Sequence, residues 1–225
     1  MLAFGNARGD HSFIGVYDFA RKQLRYLDPS VDRDSEAVWS ADGKQIAFIR
    51  IPTSRVASAF GPKRTGDPWS IRDCRRQDGN WTRDLGSRSK ATAACFAKLS
   101  ADNQLFWSAD NKIVFPWEKD GWTHLYSISA NAEKQKATLL TPGEFEVEHV
   151  SLAPGGKEIV YSSNQGDIDH RHVWRVATAG GQAPRAITSG NGIEILSNHL
   201  ERSKHGGVST IRCQSAGARI DHFWH

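Results

Sequence analysis

Apolar and polar residues along this chain alternate in short runs with a period of two, broken by small polar turns, which is the signature of half-buried strands. Phe13–Tyr17 and Leu24–Leu27 flank the polar loop 18–23. Thr123–Ile128 and Thr138–Thr141 flank 129–134, and His172–Ala177 and Arg185–Thr188 flank 178–182. No stretch carries a convincing amphipathic helical pattern. The expectation is an all-β chain.

Three segments repeat one another. Val38-Trp39-Ser40-Ala41-Asp42-Gly43-Lys44-Gln45-Ile46-Ala47-Phe48 aligns with Phe106-Trp107-Ser108-Ala109-Asp110-Asn111-Lys112-Ile113-Val114-Phe115 and with Ser151-Leu152-Ala153-Pro154-Gly155-Gly156-Lys157-Glu158-Ile159-Val160-Tyr161. Each places a tight turn between an apolar entry residue and a strand. Asp-Gly, Asp-Asn and Gly-Gly tolerate the positive φ such turns require. The entry residues Trp39, Trp107 and Leu152 lie 68 and then 45 positions apart. Forty-five is the length of one propeller blade; sixty-eight is a blade plus an insertion of about two dozen residues.

The predicted architecture is a partial β-propeller of about four blades, built from four-stranded antiparallel sheets over residues 1–195. An irregular basic insertion is expected at about 51–103, and an irregular tail at 196–225. Both stretches break the pattern. Loops, frayed ends, a shifted reading frame or a truncated gene are all consistent with them. A propeller is preferred over a sandwich because the repeat is long and the units recur. An arc of blades leaves open sheet edges, so homo-oligomerisation through them is expected.

Charge refines this picture. The formal net charge is +4, yet residues 50–98 hold eleven Lys/Arg against four Asp/Glu, while the remainder holds eighteen against twenty-one. The basicity belongs to the insertion. Two tryptophans there, Trp69 and Trp81, read as anchors pinning a long loop, and no nucleic-acid partner is expected. Trp39 and Trp107 read as packing between blades. Three cysteines, Cys74, Cys95 and Cys213, have no C-x-x-C spacing and so define neither a disulfide framework nor a zinc knuckle. Cys95 reads as a small buried hydrophobe. No run of about 18 apolar residues suggests a membrane-spanning helix. The opening MLAFGNARGDHSFIG lacks the pattern of a secretion signal, and the compartment stays open.

The segment Glu118-Lys119-Asp120-Gly121-Trp122-Thr123-His124-Leu125-Tyr126 resembles a strand of the N-terminal propeller region of the dipeptidyl peptidase IV group of the prolyl oligopeptidase family. Leu140-Thr141-Pro142-Gly143-Glu144-Phe145-Glu146-Val147 is similar to that family's next motif. Val160-Tyr161-Ser162-Ser163-Asn164-Gln165-Gly166 followed by Arg171-His172-Val173-Trp174-Arg175-Val176 is similar to its following pair of strands. The resemblance spans roughly residues 10–72 and 104–195, leaving out 73–103 and 196–225. It marks Trp39, Asp42, Gly43, Trp107, Asp110, Asp120, Gly121, Trp122, His124, Tyr126, Gly143, Phe145, Val147, Asn164, Arg171, His172 and Trp174 as structural motif positions.

What the resemblance implies is a propeller that caps a serine-hydrolase domain and admits short peptides to it. Hydrolysis there depends on a Ser-Asp-His triad with the serine on a G-x-S-x-G elbow. That string is absent from this sequence; Gly206-Gly207-Val208-Ser209-Thr210 is the nearest. No catalytic residue is assigned, and the isolated chain is expected to be inactive toward Xaa-Pro and Xaa-Ala substrates. The family's adjacent Glu-Glu amine clamp has no counterpart either. Glu144, Glu146 and Glu148 alternate and would share a strand face, but they belong to the motif just quoted. Asp167-Ile168-Asp169-His170-Arg171-His172 gathers two carboxylates and two imidazoles, and reads as a polar loop entering a strand, with His172 hydrogen-bonded across the blade. No metal and no cofactor are expected. A stand-alone scaffold of the TolB or WD-repeat kind, recruiting a protein through its rim loops, is the alternative.

Overall fold

The computed structural model describes residues 1–53, 69–77, 80–83, 89–91, 104–130, 136–197, 212–215 and 218–220. Among them every regular element is a β-strand. The chain divides into two compact units, Met1–Phe96 with Ser129–Lys136, and Ala97–Ile128 with Ala137–His225.

In the first unit, β1 (Leu2–Arg8), β2 (His11–Asp18) and β3 (Gln23–Leu27) form an antiparallel meander. A second set follows: β4 (Arg33–Trp39), β5 (Gln45–Ile51) and β6 (Trp69–Gln77), with β7 (Asn80–Arg83) and β8 (Ser89–Ala91) pairing opposite ends of β6. One parallel pairing, Ser12 with Arg33, joins the two sets into a single eight-stranded sheet. Ile14, Val16 and Leu27 of the meander pack on Ile46, Phe48 and Cys74, with Trp39 and Trp81 against them. Trp39 lies edge-on to Trp81, on β4 and β7 of the same set of strands, at 5.7 Å.

The second unit holds two four-stranded antiparallel sheets. One contains β9 (Phe106–Trp107), β10 (Lys112–Glu118), β11 (Thr123–Ser129) and β12 (Thr138–Leu139). The other contains β13 (Val147–Leu152), β14 (Glu158–Ser163), β15 (His172–Ala177) and β16 (Arg185–Ala186). Alternation sends Phe106, Val114 and Leu125 from the first sheet, and Val150, Ile159, Tyr161 and Val176 from the second, into one shared core. Each such side chain contributes about 1.5–3 kcal/mol on burial. Trp107, Ile113, Phe115 and Trp117 are also buried, on the opposite face of their sheet.

The three repeats form the same turn three times. Gly43 N–H donates to Ser40 O at 2.9 Å, Asn111 N–H to Ser108 O at 3.1 Å, and Gly156 N–H to Ala153 O at 2.9 Å. The donors all have positive φ, at 67°, 58° and 68°. In the first two turns the serine hydroxyl donates to an aspartate, Asp42 at 2.7 Å and Asp110, while accepting from the N–H that opens the next strand. In the second unit these turns also join the sheets: Ala109 N–H donates to Gly156 O at 2.7 Å, and Thr178 Oγ1 to Asp110 at 2.9 Å. A Cβ on Gly156 would lie 3.1 Å from that of Ala109. Small residues permit this close approach.

Several expectations need correction. The stretch about 51–103 is not irregular throughout: β6, β7 and β8 lie inside it, and β6 pairs with β5 over six residues. Alternation in Trp69-Ser70-Ile71-Arg72-Asp73-Cys74 was masked by its arginines, whose long stems tolerate a half-buried strand. Trp69 and Trp81 are strand residues, not loop anchors. The tail likewise carries order, since β17 (Glu194–Ser197), β18 (Arg212–Ser215) and β19 (Ala218–Ile220) form a three-stranded antiparallel sheet. Thr138–Thr141 and Arg185–Thr188 are shorter as strands than expected because Thr141 and Thr188 replace the ladder. Their hydroxyls accept from Leu125 N–H and Val173 N–H, both at 2.9 Å. Cys74 is buried; Cys95 lies outside the described residues.

Candidate functional site

The quoted motifs meet at one end of the two sheets of the second unit, where the loop after β10, the connection into β13 and the loop after β14 converge. His124, fully buried at the start of β11, places Nδ1 3.2 Å from Asp120 Oδ2 and its ring edge-on to Phe145 at 5.3 Å. Thr123 N–H donates to Glu146 Oε2 at 2.8 Å, and Glu146 N–H donates to Asn164 Oδ1 at 2.8 Å. Gly121 and Gly143 have φ of 91° and 147°, and a Cβ on Gly143 would strike the Phe145 ring. Glycine there lets the chain turn while the phenylalanine folds back over it. Val147 and Tyr126 are buried, and Trp122 is half-buried. Burial pushes the Tyr161 phenol far up, with its OH donating to Gln165 Oε1 at 3.2 Å. The arrangement is a hydrogen-bonded seam between neighbouring sheets.

Beyond the seam, Arg171 donates to Glu148 at 2.7 Å and to Ile168 O at 3.0 Å. His170 and His172 stack at 6.3 Å on the same side, as their spacing of two predicts. His170 Nδ1 lies 2.7 Å from Asp167, whose pKa is lowered chiefly by that bond and then by the Asp169 N–H. The hydrogen bond expected from His172 across the blade is absent: its Nδ1 has no partner and sits 3.8 Å from Glu194 Oε2. Trp174 Nε1 is also buried without a partner. Glu144, Glu146 and Glu148 do not share a strand face, because β13 begins at Val147 and a bulge follows before Val150. Among the described residues no group of three or more His, Cys, Asp or Glu side chains could hold a metal ion.

The first unit contains a charged cluster that the sequence reading missed. Arg50 on β5 grips Asp34 on β4 with two bonds, Nε to Oδ1 at 2.7 Å and Nη2 to Oδ2 at 2.8 Å. It also binds the Asp28 carboxylate at 2.9 Å and the Asp28 carbonyl, while Asp32 stands 4.0 Å away. The Arg50 side chain is 5% exposed and that of Asp34 is fully buried. Burial pushes the Asp34 carboxyl up against the downward pull of Arg50, and the carboxylates together hold the guanidinium protonated. The available signal was Asp28, Asp32 and Asp34 preceding a strand with one arginine at its apolar end, and charge counting does not register such pairing.

The sheets and their repeated turns define the class: an all-β chain with the fold of a partial β-propeller. The chain belongs to the family described as the dipeptidyl peptidase IV (DPP IV) N-terminal region, whose model matches residues 63–219. That match takes in 73–103 and 196–219, which composition had set apart, and begins beyond the 10–62 stretch included by resemblance. No curated protein sequence matches this one. Among solved structures, a putative dipeptidyl aminopeptidase IV from Bacteroides ovatus is similar with TM-score 0.57 and 16% identity, over 90% of this chain and 29% of that one. A prolyl endopeptidase gives TM-score 0.57 at 12% identity, over 95% and 29% of the two chains, and a puromycin hydrolase 0.55 at 15%, over 90% and 29%. At such identities the likeness is one of fold. The chain spans less than a third of the length of these structures.

Proposed function

We propose that this chain is the non-catalytic propeller portion of a dipeptidyl-peptidase-IV-like serine peptidase, gating and admitting peptides to a hydrolase domain that the quoted sequence does not contain. The family match over residues 63–219 carries this reading. The seam through His124, Phe145, Glu146 and Asn164 supports it, because hydrogen bonds between neighbouring sheets stiffen a wall that has to exclude folded proteins. In the proposed role the chain contributes no nucleophile. It restricts which chain ends reach one, and its partners are a peptide substrate and the hydrolase. The outer edge of β1, which pairs on one side with β2, offers main-chain groups to a further strand, from a second copy or from more of the same polypeptide.

Two experiments test the reading. Coding DNA beyond the His225 codon, read in all three frames, should encode G-x-S-x-G between a strand-like and a helix-like run, followed by Asp and then His; a stop followed by an unrelated gene would favour a stand-alone scaffold. The 225-residue chain alone should release no chromophore from Xaa-Pro or Xaa-Ala substrates. Joined to that hydrolase, it should confer turnover of short peptides with exclusion of folded proteins. Equal cleavage of both substrate types would end the gating role.

A further inference from the structure

A shallow, solvent-open cleft lies in the first unit, and its lining includes Val16, Asp18, Arg21, Arg25, Arg76 and Trp81. Three arginines and a single aspartate therefore line it. That carboxylate is already engaged: Asp18 Oδ1 accepts from Ala20 N–H at 3.0 Å and Arg21 N–H at 3.3 Å, closing the turn between β2 and β3. Its other oxygen stands 3.6 Å from Arg76 Nη2, too long for a full hydrogen bond. Arg25 uses one N–H on Asn80 Oδ1 at 2.8 Å, and the Arg21 guanidinium has no hydrogen bond or ion pair. Trp81 is held by Trp39 behind it, so that wall is fixed in place.

Three cations beside one carboxylate leave the cleft with a surplus of positive charge and of N–H donors not used within the protein. We propose that this cleft is a binding site for a compact oxyanion, a carboxylate or phosphate group, held by Arg21, Arg25 and Arg76 with its carbon portion against Trp81 and Val16. Arginine suits this task because its planar fork meets two oxygens at once. The site is independent of the peptidase reading.

The test is titration of the 225-residue chain, followed by calorimetry and by the Trp81 indole N–H resonance, identified through its loss in Trp81→Phe. The probes are inorganic phosphate, an N-acetylated dipeptide with a free carboxylate, and the same dipeptide as its amide. The expected result is saturable binding of at least one anion, weakened as salt rises, with the amide not binding. Tighter phosphate binding identifies a phosphate site; tighter dipeptide binding identifies a peptide carboxylate. Arg21→Gln, at an exposed position whose side chain has no bonds to lose, should weaken binding about fivefold or more, and Arg76→Gln at least as much. Absence of saturable binding, equal binding of the amide, or affinity unchanged in Arg21→Gln would each overturn the proposal.

Discussion

The two units solve the same problem, satisfying polar backbone at the loop ends of adjacent strands, with different chemistry. In the first, the segment leading into β4 is tied down by charge, through Arg50 with Asp28 and Asp34. In the second, the corresponding connection into β13 is tied by hydrogen bonds from backbone amides to Glu146 and Asn164, and by the rings of His124 and Phe145. Both leading strands contain a bulge, between Ser35 and Val38 and between Val147 and Val150. The backbone design is thus shared while the side-chain solution differs. A buried ion pair depends on keeping all its members, because either charge alone is costly, whereas a seam of separate hydrogen bonds loses stability piecemeal.

The largest effect should come from Arg50→Met. It strands the fully buried Asp34 carboxylate beside Asp28 and Asp32, and a loss of about 3–5 kcal/mol is expected in urea unfolding. The double variant Arg50→Met/Asp34→Leu should recover most of that loss; a double variant as unstable as the single one would refute the ionic account. Asn164→Ala should cost less, about 1–2 kcal/mol, by leaving the Glu146 N–H without its acceptor. A loss there as large as that of Arg50→Met would erase the contrast between the units.

Smaller still is the pH response of the repeated turn. The Ser40 hydroxyl and then the Lys44 N–H hold the Asp42 carboxyl below its ordinary 3.8. Asp42 therefore contributes stability that is present above 3.8 and lost as pH falls through its lower folded value. Asp42→Asn should flatten the acid limb of the thermal-unfolding profile and leave neutral pH little changed. Smallest of all, Asp167→Asn at the exposed His170 pair should leave the same unfolding curves almost unchanged.

Much of this was legible from the chain alone. Turns with a positive-φ donor, entered by Trp39, Trp107 or Leu152, announce themselves because local sterics decide them. The family resemblance picked out Asp120, His124, Phe145 and Asn164 as motif positions, and their contacts across neighbouring sheets came from the structure. Strands β6 to β8 were hidden, because arginine-rich segments read as solvated until a partner strand is present. Arg50 was hidden because its partners lie 16 and 22 positions away.

Residue type and order determined the β class, the turn positions and the repeat, since those follow from backbone conformations available within a few residues. Tertiary structure alone decided that Arg50 is buried among carboxylates, that Thr141 and Thr188 finish their sheets with hydroxyls, and that His172 Nδ1 faces Glu194 without a bond. Each of these depends on the separation of groups distant in sequence. An electrostatic or hydrogen-bond energy depends on that separation and on the surrounding dielectric, neither of which a linear string of residues specifies.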